Sequence, residues 1–232
     1  MKKLALTAIS LLFAGSATAA DIRAPAPVRA PALAPVAVYS WTGCYVGAGG
    51  GYGMWNQEIQ GRDFLGVAVG ISTDNSGRGW FGTVQVGCDY QFGSNIVIGA
   101  FGDYDFSGLK GDVGIAPIFA YYGHEKHKSS WAAGGRVGWI PFQASQLLVY
   151  VSGGYTQARF DQVNVVSIIN VPNNQALRKH TYSGWFIGSG YEYGLGFLPG
   201  LFWKTEYRFS DFGTENVAFF DIPTGLNTGL SI

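Results

Sequence analysis

Few residues in this chain have the type and spacing for chemistry. Cys44 and Cys88 are its only cysteines. They lie equally far from residue 66, so a hairpin folded about that point sets them face to face on neighbouring strands and near one end of them. A cross-strand disulfide is expected; the alternative is two separate thiols on an outward apolar face. His124-Glu125-Lys126-His127 puts two histidines three residues apart, with His180 further along. On a helix or turn, His124 and His127 could share a metal or the edge of a haem. No third ligand follows at a zinc-like spacing, so no metal and no cofactor is expected. His180 with Ser183 and a loop carboxylate is the one arrangement that could serve as a nucleophilic triad. Residues three apart on a strand face opposite sides, so no enzyme is expected. The glycine-rich run Gly47 to Gly53 lacks the Lys-Ser/Thr pair and the glycine spacing of a nucleotide loop, and reads as close strand packing.

The remaining candidates are charges embedded in alternating segments: Asp89, Asp103, Asp105, Glu192 and Glu206 against Arg136, Lys204 and Arg208. From Trp80 to Phe92, Trp80, Val84, Val86, Cys88, Tyr90 and Phe92 share one face, while Thr83, Gln85, Asp89 and Gln91 share the other. Period two of this kind belongs to a strand. Gly93-Ser94-Asn95 then turns the chain into a second strand. There Ile96, Ile98, Ala100, Tyr104 and Phe106 oppose Asp103 and Asp105. Similar strands are expected near 129–140, 147–160, 182–194 and 201–212, with a weaker, glycine-diluted one over 41–55.

The face bearing aromatics is the outward one in this reading, and the charged face is inward. A soluble barrel keeps its apolar residues inside, so the polarity expected here is the inverse, as lipid requires. An all-β, antiparallel up-and-down transmembrane barrel of about eight strands follows, with seven of them clear. Such a barrel is only wide enough to be filled by side chains, so the inward charges are expected to form a paired polar plug; the functional alternative is an ion pathway. Connections are short at 93–95, 141–146 and 195–200 and long at 56–79, 107–128 and 161–181. That alternation places the N-terminus in the periplasm and the long loops outside.

Composition agrees. The 232 residues are 47% hydrophobic, 16% aromatic and only 13% charged, with 35 glycines and a formal net charge of zero. No global field attracts nucleic acid, and none is expected as a partner. Residues 1–20 read as a secretory signal peptide: Lys2 and Lys3, an apolar stretch from Leu4 to about Ala14, and small residues to Ala20. Residues 21–39, with Pro25, Pro27, Pro31 and Pro35, read as an Ala/Pro-rich periplasmic linker. Residues 40–232 are the expected barrel domain.

Three motifs carry a family resemblance. Trp41-Thr42-Gly43-Cys44-Tyr45-Val46-Gly47, Gly87-Cys88-Asp89-Tyr90-Gln91 and Glu206-Tyr207-Arg208-Phe209 resemble the small porin-family outer-membrane barrels of alphaproteobacteria, akin to the OmpA membrane domain. The resemblance implies the cell outer membrane, lipid and the barrel-assembly machinery as partners, a structural and surface-exposed role, and in some relatives haem binding. Relatives end on an alternating strand with a terminal aromatic. Here 216–232 holds Pro223, Gly225 and Gly229 and reads more as a fourth extracellular loop, which leaves the final strand missing; the rival is a degenerate eighth strand over 217–232.

The leading expectation is an integral outer-membrane barrel without catalytic chemistry. The alternatives are capture of haem or a host surface molecule by loops carrying Tyr121, Tyr122, His124 and His127, and a low-conductance channel.

Overall fold

The computed structural model describes residues 39–93, 95–115, 121–141, 146–167 and 172–232. The expected signal peptide, and the linker up to residue 38, lie outside the described residues. No helix occurs among those described. The strands are β1 (Gly43–Ile59), β2 (Thr73–Phe92), β3 (Ile96–Ser107), β4 (Lys110–Ile115), β5 (Tyr121–Trp139), β6 (Leu147–Phe160), β7 (Val163–Ser167), β8 (Pro172–Leu177), β9 (His180–Gly194), β10 (Phe202–Phe212), β11 (Ala218–Asp221) and β12 (Asn227–Ser231).

Seven long strands form a continuous antiparallel wall in the order β1, β2, β3, β5, β6, β9, β10. They are the segments whose alternation stands out in the sequence. Along each, the large apolar residues are exposed and their neighbours buried or half-buried: Trp80 is 73% exposed, Val86 59% and Trp203 62%. The wall curls, and side chains of distant strands meet across its inner face. Trp55 on β1 meets Phe160 on β6, Gln57 donates to the Tyr182 hydroxyl at 2.9 Å, and Lys204 on β10 donates to Gln85 on β2 at 2.7 Å.

The strand count is corrected: among the described residues the sheet has twelve strands, where the sequence led to about eight. The additional short strands come from segments expected to be loops. They are too short to show a period by themselves, and pairing with extensions of the wall strands makes them strands. The upper part of β2 pairs with β4, β4 with β5, β5 with β7, β7 with β8, β8 with β11 and β11 with β12. This head has its own core of Val163, Val165, Leu177, Val217 and Phe219, with Leu230 and Ile232 packed against it. Residues 217–232 therefore do not span the wall as a strand; they build the head.

At the opposite end, where the turns are short, Trp41, Val97, Ile140 and Leu148 pack into a second apolar cluster. Gly93 turns β2 into β3 with φ of 57°, a left-handed conformation that glycine adopts without strain.

Candidate functional site

The interior of the wall is built in layers. Nearest the turn end, Arg136 on β5 is buried between two carboxylates. Its Nε donates to Asp89 Oδ1 at 2.9 Å and its Nη2 to Glu192 Oε2 at 3.2 Å, and two further bonds make both pairings bidentate. The guanidinium also stacks near the rings of Tyr45 and Tyr150, 4.9 and 5.1 Å from their centroids. Nearer the head, Arg208 on β10 donates to Asp103 at 3.1 and 2.8 Å and to Glu206 at 3.0 and 2.9 Å. Lys204 pairs with Glu206 at 2.8 Å, and the Tyr150 hydroxyl donates to the same carboxylate at 2.8 Å. Asp105 is held separately by Ser130 Oγ at 3.1 Å.

Seven of the eight inward charges anticipated from alternation thus meet in ion pairs, and Asp105 does not. Buried carboxylates are tolerated when paired and hydrogen-bonded, and Arg136 and Arg208 each neutralise two. Sequence reading missed the aromatic members. Tyr150 falls on the inward phase of β6 with Leu148 and Ser152, a signal that was present, whereas the inward turn of Tyr45 was hidden by the glycines around it.

Glycine makes these contacts possible. In the row running across β2, β3 and β5, Asp89 is opposite Gly99 and Gly99 opposite Arg136, so the ion pair bridges a strand that carries no side chain. The same device repeats with Tyr150, Gly190 and Glu206 across β6, β9 and β10. A Cβ on Gly190 would lie 2.6 Å from the Tyr150 hydroxyl oxygen. Among the charges, Phe101 and Phe186 meet edge to face at 6.0 Å with Ala132 as a third member of the cluster, and Asp103 is opposite Ala132. Arg208 lies 4.4 Å from the Phe186 centroid, a cation–π contact that ties the layers together.

A third group sits at the base of the head, above the level of Trp131, Tyr155 and Trp185. His127, Phe160 and His180 are opposite one another on β5, β6 and β9. His180 stacks on Phe160 at 5.4 Å and its Nε2 lies 3.3 Å from the buried carboxylate of Glu125. Burial works against a charged His180, but Glu125 and the Arg178 carbonyl outweigh it and hold its pKa above the ordinary imidazole value. His127 has no such partner: burial lowers its pKa to about 4, and neither ring nitrogen is hydrogen-bonded. His124 points the other way, exposed, with Nδ1 2.6 Å from Asp112. His124 and His127 are therefore on opposite faces of β5 and do not converge. Ser183 faces away from His180 and accepts from Gln157 at 3.2 Å. Among the described residues no group of three His, Cys, Asp or Glu side chains could hold a metal ion. Tyr121 and Tyr122 contribute backbone pairing to the head.

The cysteines complete the picture. Cys44 and Cys88 are opposite each other on β1 and β2 and form a disulfide on the outward face near the turn end. The bond requires an oxidising compartment, which with an apolar exterior points to the cell envelope.

Comparison with known proteins agrees. The chain is 32% identical over 231 residues to the 31 kDa outer-membrane immunogenic protein of Brucella melitensis, a match covering 95% of this chain and 91% of that protein. The protein of the same name from Brucella suis matches equally well. The chain belongs to this family of outer-membrane proteins. Its place is the cell outer membrane, and the exposed aromatics of the wall are suited to that solvent. No protein-family model matches the chain, and no solved structure matches it.

Proposed function

We propose that this protein is a non-catalytic, structural barrel of the outer membrane, with its wall in lipid and its β-rich head on the cell surface. The observation that carries the reading is the inverted polarity of the wall. Trp80, Val86, Trp139, Val151, Ile187 and Trp203 are each more than half exposed, while Asp89, Arg136 and Glu192 are buried. In water such a surface would aggregate; in a bilayer it is the solvated face. The leader at 1–20 brings the chain out of the cytoplasm, and the short turns face the periplasm.

The interior favours a plug over a channel. Trp41, Val97, Ile140 and Leu148 fill the turn end, and Phe101 with Phe186 packs among the ion pairs, against Lys204 and Arg208. An ion would have to displace both apolar layers and break bidentate pairs. The head, being outermost, is the part that meets whatever lies outside the cell.

The experiment is folding into detergent micelles and then lipid vesicles. A β-type circular dichroism spectrum and tryptophan fluorescence quenched by brominated acyl chains are expected. Tryptophans that stay unquenched in a folded protein would overturn the proposal.

A further inference from the structure

We infer that the outward face of β2, β4 and β5, just beyond the aromatic belt of the wall, binds the phosphate headgroups of anionic lipids, with Arg78, Lys110 and Lys126 as the cations of the site. The site presupposes the lipid-facing wall proposed above and assigns a headgroup chemistry to one sector of its rim.

Register brings the three cations together. Arg78 is opposite Lys110, and Lys110 is opposite Lys126. Each is exposed on the outward phase of its strand. Neighbouring strands lie about 4.8 Å apart, so the row spans about 10 Å, and like charges set opposite one another across strands repel. Two carboxylates beside the row are already engaged, Asp112 by His124 at 2.6 Å and Asp161 by Lys128 at 3.7 Å. Among the described residues no ion pair joins Arg78, Lys110 or Lys126 to an acid. Arg159 on β6, also exposed and opposite Ser129, extends the positive sector. An anion laid along this row turns mutual repulsion into shared attraction.

Depth places the row at headgroup level. The outward face of β2 carries no charge from Trp80 to Phe92, and its aromatic residues Trp80 and Tyr90 are ten positions apart. That separation is about 33 Å along a strand and, at a tilt of about 40°, about 25 Å of depth, the height of the apolar band of an outer-membrane barrel. Arg78 is the first outward position past Trp80 on the side of the head.

The apolar surface adjoining the cations selects a lipid over a free anion. Met54, opposite Arg78, is exposed, and Trp80 packs edge to face on Tyr52 at 5.3 Å, one outward row nearer the turn end. Acyl chains cover these side chains while the phosphate meets the row; arginine takes two phosphate oxygens at once and the lysines act as point charges. Exposed charges toward the neighbouring strands are acidic: Glu58 on β1 is opposite Asp74, and Asp211 on β10 is opposite Trp185. The positive sector is therefore local.

The test uses the full chain folded in phosphatidylcholine vesicles that contain rising fractions of either brominated phosphatidic acid or brominated phosphatidylcholine. Tryptophan quenching is read, since Trp80 lies beside the site. Half-maximal quenching by the acidic lipid is expected at a mole fraction at least about fivefold below that of the neutral one. Lys110→Gln with Lys126→Gln is expected to remove most of this difference. Arg62→Gln with Lys179→Gln, an equal loss of charge elsewhere in the head, is expected to keep it. Folding of both pairs is checked on an unboiled gel, and Arg78→Gln alone is read beside them as a milder variant with the same expected direction. Equal half-quenching fractions in wild type, survival of the difference without Lys110 and Lys126, or its equal loss in both pairs overturns the site. Loss of the difference on adding inorganic phosphate, at an ionic strength where chloride preserves it, overturns the lipid as occupant. Tryptophans quenched by wholly brominated phosphatidylcholine but indifferent to headgroup remove this site alone, whereas tryptophans unquenched there remove the membrane reading beneath it.

Discussion

Arg136 on β5 grips Asp89 on β2 across the bare backbone of Gly99 on the strand between them. The same guanidinium holds Glu192, so one cation neutralises two carboxylates that are, like itself, almost wholly buried. Replacing Arg136 with Met leaves Asp89 and Glu192 buried without their partner, and the loss expected is about 3–5 kcal/mol. Urea unfolding in micelles measures it; a midpoint unchanged from wild type would show that the network does not hold the wall. Gly99→Ala should weaken the same site, because its Cβ collides with the Asp89 carboxylate.

The disulfide acts on the unfolded chain. Cys44 and Cys88 are 44 residues apart, and closing a loop of that length removes chain entropy worth up to about 4 kcal/mol in a simple loop-closure treatment. Reduction, or Cys44→Ser with Cys88→Ser, should lower the urea midpoint. Intact mass after alkylation without reductant should show no free thiol, and two alkylated cysteines would refute the bond in the folded protein.

The head should be most stable near neutral pH. His127 is depressed to about 4 by burial, below its unfolded value of 6.5. Its contribution is present above 6.5 and is lost as pH falls from there toward 4. His180 is raised by Glu125 and the Arg178 carbonyl against the cost of burial, so its contribution is complete below 6.5 and lost as pH rises through the raised value. Amide exchange of head residues such as Val163 and Phe219, followed from pH 4 to 9, should show greatest protection between the two losses. His127→Phe should remove the acid limb and His180→Gln the alkaline one; a flat profile in wild type would contradict both.

The apolar layer at the turn end should also be costly to open. Leu148 is fully buried beside Trp41, Val97 and Ile140. Leu148→Ala should destabilise by about 2–5 kcal/mol, read from the urea midpoint. Planar-bilayer recording of folded wild-type protein should show no conductance steps. Discrete steps would revive the channel that the layered interior argues against.

The wall was legible in the sequence because a strand with lipid on one side and packed side chains on the other must alternate. Trp80 to Phe92 and Leu147 to Phe160 show that alternation without any knowledge of their neighbours. It also gave the inward charges and the equal spacing of Cys44 and Cys88 about one turn, since both depend on period and separation along the chain. Alternation could not say which cation meets which carboxylate: Arg136 reaches Asp89 and Glu192 only through the curl of the sheet and the glycines between them. The head was illegible for a related reason. Strands as short as Ala218–Asp221 carry too little pattern to declare themselves and exist because β8 and β12 lie alongside to take their hydrogen bonds. His124 and His127, adjacent in any loop reading, were sent to opposite faces once β5 extended through them. Local alternation is written residue by residue, whereas partners, and the shape of the head, are decided only when distant strands come into register.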